Sequence, residues 1–319
     1  MIYLGYAVCA FLMAFLAIKA SVYVDLLDKK TNLSGAFIGG VMLSAVTSLP
    51  ELFTSLTSTV WLDEPGLCLG NIIGSNLFNL TVLAVLMLVF FKAFSKVRVA
   101  SSHTIVAVTL ILIYSLMILH WLKILQGGLV FNKYSISIIT ILIAVLYIYC
   151  IRNMAGDSSE DADEEAQTNL TVKQIVTRFI LVSIGIIAVS ILATQFTDKI
   201  AQKHNLGAGL AGALFLGVAT SLPELVSTTN LFKLKNYNIA IGNIIGSNIF
   251  NFFILCVADV CYFGNKTVYD YSDPKNINLL IFGIIAHLFM LFLFKFKNKA
   301  TQAIASLTVI ACYIAFLLV

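Results

Sequence analysis

Two acidic residues buried in apolar runs are where this sequence could do chemistry. Glu51 lies in Thr47-Ser48-Leu49-Pro50-Glu51-Leu52, and Glu224 lies in the same six residues repeated, Thr220-Ser221-Leu222-Pro223-Glu224-Leu225. A carboxylate at the centre of an apolar span costs about 2.5 to 3.5 kcal/mol on the most lenient insertion scale, so it persists only facing a protein interior or a wet cavity. Pro50 and Pro223 have no N–H for the carbonyls of Val46 and Ala219, which predicts a broken helix with freed backbone oxygens at each acid. Thr47 and Ser48, like Thr220 and Ser221, put hydroxyls on the same side.

A second block follows each first one. Gly70-Asn71-Ile72-Ile73-Gly74-Ser75-Asn76-Leu77-Phe78-Asn79 recurs as Gly242-Asn243-Ile244-Ile245-Gly246-Ser247-Asn248-Ile249-Phe250-Asn251, with nine of ten residues identical. The two block pairs are offset by 173 and 172 residues, in the same order, which marks an internal duplication. Ser75 with Asn79, and Ser247 with Asn251, stand four apart on one helix face. Gly70 and Gly74, like Gly242 and Gly246, read as small-residue packing steps. The amides of Asn71, Asn76, Asn243 and Asn248 read equally as interhelical hydrogen bonds. Together the two copies offer two carboxylates and neutral hydroxyl, amide and carbonyl oxygens, with no His or Cys. That donor set suits a hard cation such as Ca²⁺, or Mn²⁺, and not Zn²⁺ or Cu. Two negative charges balance one divalent ion, or two monovalent ions or protons, so competition for one site can itself provide antiport.

The elements that must position these residues are transmembrane helices. The 319 residues are 60% hydrophobic and 11% charged, with mean hydropathy +0.96, which excludes a water-soluble enzyme. Apolar runs predict an all-α polytopic membrane protein of ten spans, at about 3–24, 34–60, 66–91, 101–121, 134–151, 174–197, 206–232, 237–263, 277–295 and 300–319. The apolar stretch after Met1 lacks a basic flank and reads as a first span, not a cleaved signal peptide. The polar stretch from Asn153, with Asp157, Glu160, Asp161, Asp163, Glu164 and Glu165, is a solvated linker. The chain therefore divides into 1–152, a linker at 153–172, and 173–319. Alternate loops carry 13 against 6 Lys and Arg, which puts the linker in the cytoplasm and both termini outside, in a cell membrane. Five spans per half make the two repeats inverted, the architecture of secondary transporters.

With these motifs in place, the chain resembles the sodium/calcium exchanger family of the cation/calcium antiporter group, as a compact prokaryotic-type member. Segments Gly39 to Asn79 and Gly212 to Asn251 look like that family's two alpha repeats. The resemblance implies Ca²⁺ export driven by Na⁺ entry. It also implies that Thr47, Ser48, Glu51, Ser75 and Asn79, with Thr220, Ser221, Glu224, Ser247 and Asn251, are the ion ligands. It further implies spans 1 and 6 moving across a static core. Two features differ from many sodium-coupled members: amides at both Asn79 and Asn251, where one is often aspartate, and Val46 and Ala219 where a glycine is common. The first leaves the site one charge poorer, which bears on stoichiometry and coupling ion.

Two rival readings stay open on the residues: a proton-coupled exchanger of Ca²⁺, Mn²⁺ or Mg²⁺, and a cation channel with a carboxylate ring. No enzymatic constellation and no cofactor motif is evident, and the expected partners are inorganic cations and the lipid bilayer, with no obligate protein partner. A net charge of +4 spread over short loops argues against nucleic acid. The six cysteines read as buried small hydrophobes. His287 reads as a hydrogen-bonded interior histidine, Asp259 as lining an access path or nearing the outer interface, and Lys19 as snorkelling to the cytoplasmic surface.

Overall fold

The computed structural model describes residues 2–131, 134–157, 168–203, 220–263, 267–296 and 298–318. Eight helices among them are long and apolar enough to cross a membrane: α1 (Ile2–Lys30), α4 (Pro65–Val89), α5 (Ser101–Trp121), α6 (Ile138–Ala155), α7 (Val172–Lys203), α9 (Tyr237–Cys261), α10 (Pro274–Lys295) and α11 (Lys299–Leu318). The bent pair α2 (Gly35–Thr47) and α3 (Leu49–Trp61), which meet at 42°, is apolar enough to count as a ninth if the two cross as one. The short α8 (Leu222–Lys233) is the described part of the span expected from residue 206. Residues 204–219, with Gly212 and Ala219, lie outside the described residues, as do Glu160, Asp161, Asp163, Glu164 and Glu165 of the linker. The chain is a multi-pass helical membrane protein.

Local chemistry sets where these helices start. Ser34 accepts from Phe37 N (3.1 Å), Ser137 from Ile139 N (3.4 Å) and Asp273 from Lys275 N (2.9 Å), each meeting an N–H that the helix cannot satisfy itself. Pro65 and Pro274 occupy first turns, where a missing N–H costs nothing. Lys29, Lys30 and Lys295 close α1 and α10 with positive charge against the C-terminal carbonyls.

The centre of the molecule is α4 and α9, which are the most enclosed of the candidate spans. They carry the two Gly-Asn-Ile-Ile-Gly-Ser-Asn blocks. The glycines do what small residues permit, since a Cβ on Gly246 would stand 2.3 Å from the Gly40 carbonyl oxygen and one on Gly39 would stand 2.3 Å from that of Ile239. The backbones of α2 and α9 therefore touch directly. Outside this core, α1 packs along α7. Leu4, Phe11, Phe15, Ile180, Leu181 and Ile184 face outward on that pair, as a bilayer-facing surface requires.

Four features depart from the sequence reading. A two-stranded antiparallel hairpin, β1 (Gly128–Phe131) with β2 (Tyr134–Ser137), occupies the start of the expected fifth span, and the helix begins only at Ile138. Residues 134–137 alternate in polarity, a strand pattern, and Ser137 caps the helix behind them. At its other end α6 continues to Ala155, so the linker starts three residues later than expected. The linker's described ends are held: Lys30 Nζ donates to the carbonyls of Thr168 (2.9 Å) and Leu170 (2.7 Å), and Asp157 accepts from Ser102 N (3.1 Å). Stretches Ile38–Leu43 and Thr57–Trp61 are π-helical, with no signal in the local sequence. Finally, Asp259, read as lining an access path or nearing the outer interface, is buried and anchors the fold. Its buried carboxylate accepts from Ser137 N (3.0 Å), Thr140 Oγ1 (2.6 Å), Thr267 Oγ1 (3.1 Å) and Val268 N (3.2 Å), tying the hairpin and the 267–268 loop to α9.

Candidate cation-binding site

The break before each glutamate is the same in both copies. Ser48 sits between α2 and α3 at φ −93°, ψ 8°, and Ser221 precedes α8 at φ −86°, ψ 7°. Both lie in the sparsely populated bridge region. The turn is centred two residues before the proline, where the ring pushes the chain off helical geometry, and each glutamate falls in the first turn of the helix that follows. Hydroxyls one turn on repeat the pattern: Thr54 Oγ1 donates to the Pro50 carbonyl (2.8 Å) and Ser227 Oγ to that of Pro223 (2.7 Å).

Each copy then reaches into the other. Ser48 Oγ donates to Glu224 Oε1 at 2.8 Å, and Ser221 Oγ donates to Glu51 Oε1 at 3.1 Å. The asparagines cross in the same way. Asn76 Nδ2 donates to the Asn248 carbonyl (3.3 Å) and Asn248 Nδ2 to that of Asn76 (3.1 Å). Asn79 Nδ2 donates to Asn248 Oδ1 (3.1 Å) and Asn251 Nδ2 to Asn76 Oδ1 (2.9 Å). These contacts exchange partners under a two-fold relation between α4 and α9. Asn79 and Asn251 serve as donors here, a role an ionised aspartate could not fill.

The ten residues expected as ligands are all buried, at 0 to 2% exposure. The two glutamates, Ser48, Ser221 and Ser247 are joined by hydrogen bonds, Ser247 Oγ reaching Glu224 Oε1 at 3.4 Å. Thr47 Oγ1 stands 3.5 Å from Ser247 Oγ and 3.4 Å from Asn243 Oδ1, and Thr220 is buried at the matching position. Ser75, Asn79 and Asn251 contribute differently. Ser75 Oγ, Asn79 Oδ1 and Asn251 Oδ1, together with Glu51 Oε2 and Glu224 Oε2, are buried oxygens without a hydrogen-bond partner. Five such oxygens, two of them on carboxylates, would each cost about 1 to 3 kcal/mol or more if left bare. A hard cation is the kind of ligand that satisfies such oxygens, since it takes six to eight of them in flexible geometry. Among the described residues no group of three His, Cys, Asp or Glu could hold a metal, so the remaining donors are neutral.

Around these residues lies a set that the sequence reading passed over. Asn243 Nδ2 donates to Ser227 Oγ (3.0 Å) and Thr228 Oγ1 (2.9 Å), whereas in the first copy Ser55 Oγ and both amide atoms of Asn71 have no partner. The signal was available, because Thr54-Ser55 and Ser227-Thr228 are hydroxyl pairs at the same offset as the glutamates. His287 is the interior histidine expected: Nδ1 meets the Gly283 carbonyl (2.8 Å), which leaves Nε2 to accept from Asn248 Nδ2 (3.4 Å). Tyr114, 173 positions earlier, packs its ring 4.8 Å from that imidazole.

The family model described as "Sodium/calcium exchanger protein" matches residues 1–153 and 175–319. A membrane protein of Methanocaldococcus jannaschii is 26% identical over 222 residues, 68% of each chain. The Escherichia coli inner membrane protein YrbG is 25% identical over 265 residues, 78% of this chain and 76% of its own. Among solved structures, the sodium-calcium exchanger NCX_Mj soaked with Na⁺ and Sr²⁺ shares the fold at TM-score 0.73, with 21% identity over 99% of this chain and 98% of that one.

Proposed function

The chain belongs to the sodium/calcium exchanger family, and on that premise we propose that it exports Ca²⁺ in exchange for Na⁺ at the site between Glu51 and Glu224. Membership supports cation antiport in a membrane. The finer reading rests on one observation: two fully buried carboxylates, each bonded by a serine of the opposite copy and each with its second oxygen unpartnered.

In this reading Thr47, Ser48, Glu51, Ser75, Asn79, Thr220, Ser221, Glu224, Ser247 and Asn251 form a midplane site used in turn by Ca²⁺ and Na⁺. Two carboxylates neutralise one Ca²⁺ or two Na⁺, so the ions compete for one site, and two uncompensated buried charges disfavour the passage of an empty one. Ten spans in two inverted halves, 1–152 and 173–319, surround it, with residues 206–232 as the seventh span. The acidic linker is cytoplasmic and both termini lie outside, in the cell membrane. The α1–α7 pair, packed on itself beside the core, is suited to slide across α2, α3, α4, α8 and α9 and expose the site to each side alternately.

The test is ⁴⁵Ca²⁺ uptake into proteoliposomes loaded with Na⁺ and diluted into Na⁺-free buffer, beside a pH-jump arm and a Glu51→Gln, Glu224→Gln double variant. Uptake that needs the Na⁺ gradient and vanishes in the variant is expected. Uptake driven by the pH step alone would replace Na⁺ by H⁺, and single-channel currents in a planar bilayer would overturn antiport altogether.

A further inference from the structure

The two-fold match between the copies fails at Ser75, whose Oγ is unpartnered where Ser247 Oγ reaches Glu224, and at Asn71, where a recess opens. Asn243 is held by Ser227 and Thr228, but its counterpart Asn71, 1% exposed, has neither amide atom bonded. Asn71 forms part of the wall of a cavity of about 150 Å³ between the start of α4 and the start of α10. Glu64, Asp270 and Asp273 stand in that wall against a single lysine, Lys275. On α4, Asn71 is one helical turn before Ser75, whose Oγ is one of the unpartnered oxygens of the deep site.

The wall is built. Asn276 Nδ2 bonds the carbonyls of Gly66 (3.0 Å) and Asp270 (3.4 Å), pinning α10 to α4. Asp270 is oriented by Ser272 N (2.9 Å) and Ser272 Oγ (3.0 Å), and Asp273 by Lys275 N (2.9 Å). Gly66 and Gly70 let the start of α10 and the loop before it approach α4 closely, because a Cβ on Gly70 would stand 2.8 Å from Asn276 Oδ1 and one on Gly66 would stand 3.3 Å from Asp270 Oδ2.

We propose that this recess is an outer recruiting site for hydrated divalent cations, in which Glu64, Asp270 and Asp273 gather the ion and the Asn71 amide oxygen receives it above Ser75. This rests on the exchange reading for its purpose and on the predicted orientation for its side, since the loops after the second and eighth spans face outward. No three acidic, His or Cys side chains among the described residues are close enough to chelate an ion together, so the ion keeps most of its water. The partial positive ends of α4 and α10 also point into the recess and oppose tight binding. Both features make a site that concentrates cations and releases them inward. The second copy, with Asn243 bonded, has no matching open amide.

The experiment is the triple variant Glu64→Gln, Asp270→Asn, Asp273→Asn, with Ca²⁺ KM measured from the outer face in right-side-out vesicles and from the cytoplasmic face in everted ones. Focused surface charge raises capture by roughly 10- to 1000-fold in the strongest cases, so loss of this small cluster is set at about three- to tenfold in outer KM. Cytoplasmic KM and Vmax stay unchanged, and the salt dependence of outer KM flattens. An unchanged outer KM, or an equal rise on both faces, overturns the proposal. A second readout needs no transport: Mn²⁺ broadening of a nitroxide at the exposed Leu62→Cys, two residues before Glu64, expected with the three acids intact and lost in the triple variant. A chain that failed to exchange Ca²⁺ would sink the exchange reading, while Mn²⁺ broadening unaffected by the triple variant would sink the recruiting site.

Discussion

Replacing Glu51 by Gln tests whether the buried carboxylates are held at the expense of the fold. In the parent, Glu51 Oε1 accepts from Ser221 Oγ at 3.1 Å, while Oε2 is buried and unpartnered. The amide is the same shape and removes one of two like charges in a site with 0% exposure at both glutamates. Removing a buried charge, whose bare oxygen costs about 1 to 3 kcal/mol or more, outweighs the cost of the neutral NH2 that replaces it, and 1 kcal/mol shifts Tm by about 2 to 4 °C in chains of 150 to 250 residues, somewhat less in a longer one. The variant, purified in detergent without Ca²⁺ or Na⁺, is therefore expected to unfold a few degrees above the parent. Calcium should act oppositely. At 100 times Kd a ligand stabilises its protein by about 2.7 kcal/mol, so the parent gains several degrees on adding Ca²⁺ and the variant gains almost nothing. The assay is intrinsic fluorescence on heating, with and without Ca²⁺, beside ⁴⁵Ca²⁺ flux, which the variant loses. A variant less stable than the parent in the absence of cations, or one that keeps the Ca²⁺ shift, would refute the idea that these oxygens are organised for a cation.

Other substitutions follow from the same contacts. Asn251→Asp removes the donor to Asn76 Oδ1 (2.9 Å) and sets two acceptors face to face, at about 1 to 3 kcal/mol in apparent stability, measured by thermal melting; an unchanged Tm would contradict the donor role of Asn251. Gly246→Ala drives a methyl to 2.3 Å from the Gly40 carbonyl, so transport collapses, while Gly156→Ala, where the nearest atom is 3.5 Å away, leaves flux intact. Asp259→Asn turns one carboxylate oxygen into an NH2 that faces a hydroxyl and a backbone N–H, either Thr140 with Ser137 N or Thr267 with Val268 N; Tm falls, while Ca²⁺ KM at the surviving fraction is unchanged, which separates an anchor from a path-lining acid.

Nearly everything that depends on period or repetition could be read from the chain. Among the described residues apolar runs marked most span boundaries to within a few residues, although α1 and α7 each run six residues past the expected end and α6 starts four residues late, and the duplicated blocks pointed to Glu51 and Glu224 because an acid repeated in two apolar surroundings has no inexpensive structural explanation. What escaped depends on contacts between distant segments. The hairpin at 128–137 is two four-residue strands that exist by pairing with each other. The π-helical turn at Ile38–Leu43 in α2 accompanies the backbone contact at Gly39 and Gly40, which no local propensity encodes. Asp259 has the same composition of neighbours as an access-path acid, and only the arrival of Ser137, Thr140 and Val268 shows it to be saturated. The failure of symmetry at Asn71 is equally invisible, because the ten-residue blocks around Asn71 and Asn243 are nearly identical.

The exchange of partners between the copies has a consequence for how such a gene can change. After a duplication, each copy is ordinarily free to drift. Here Ser48 serves Glu224, Ser221 serves Glu51, and each central asparagine finishes its bonding in the other copy. A mutation in either is thus judged by a residue encoded some five hundred nucleotides away. Neither half can specialise at these positions unless the other accepts the change in the same step, whereas Asn71 and Asn243, whose bonding has already parted, show where divergence has been tolerated. The repeat is preserved as a joint inheritance, and its first asymmetries should arise at the edges of the site, where one ion path can be altered without disturbing both acids.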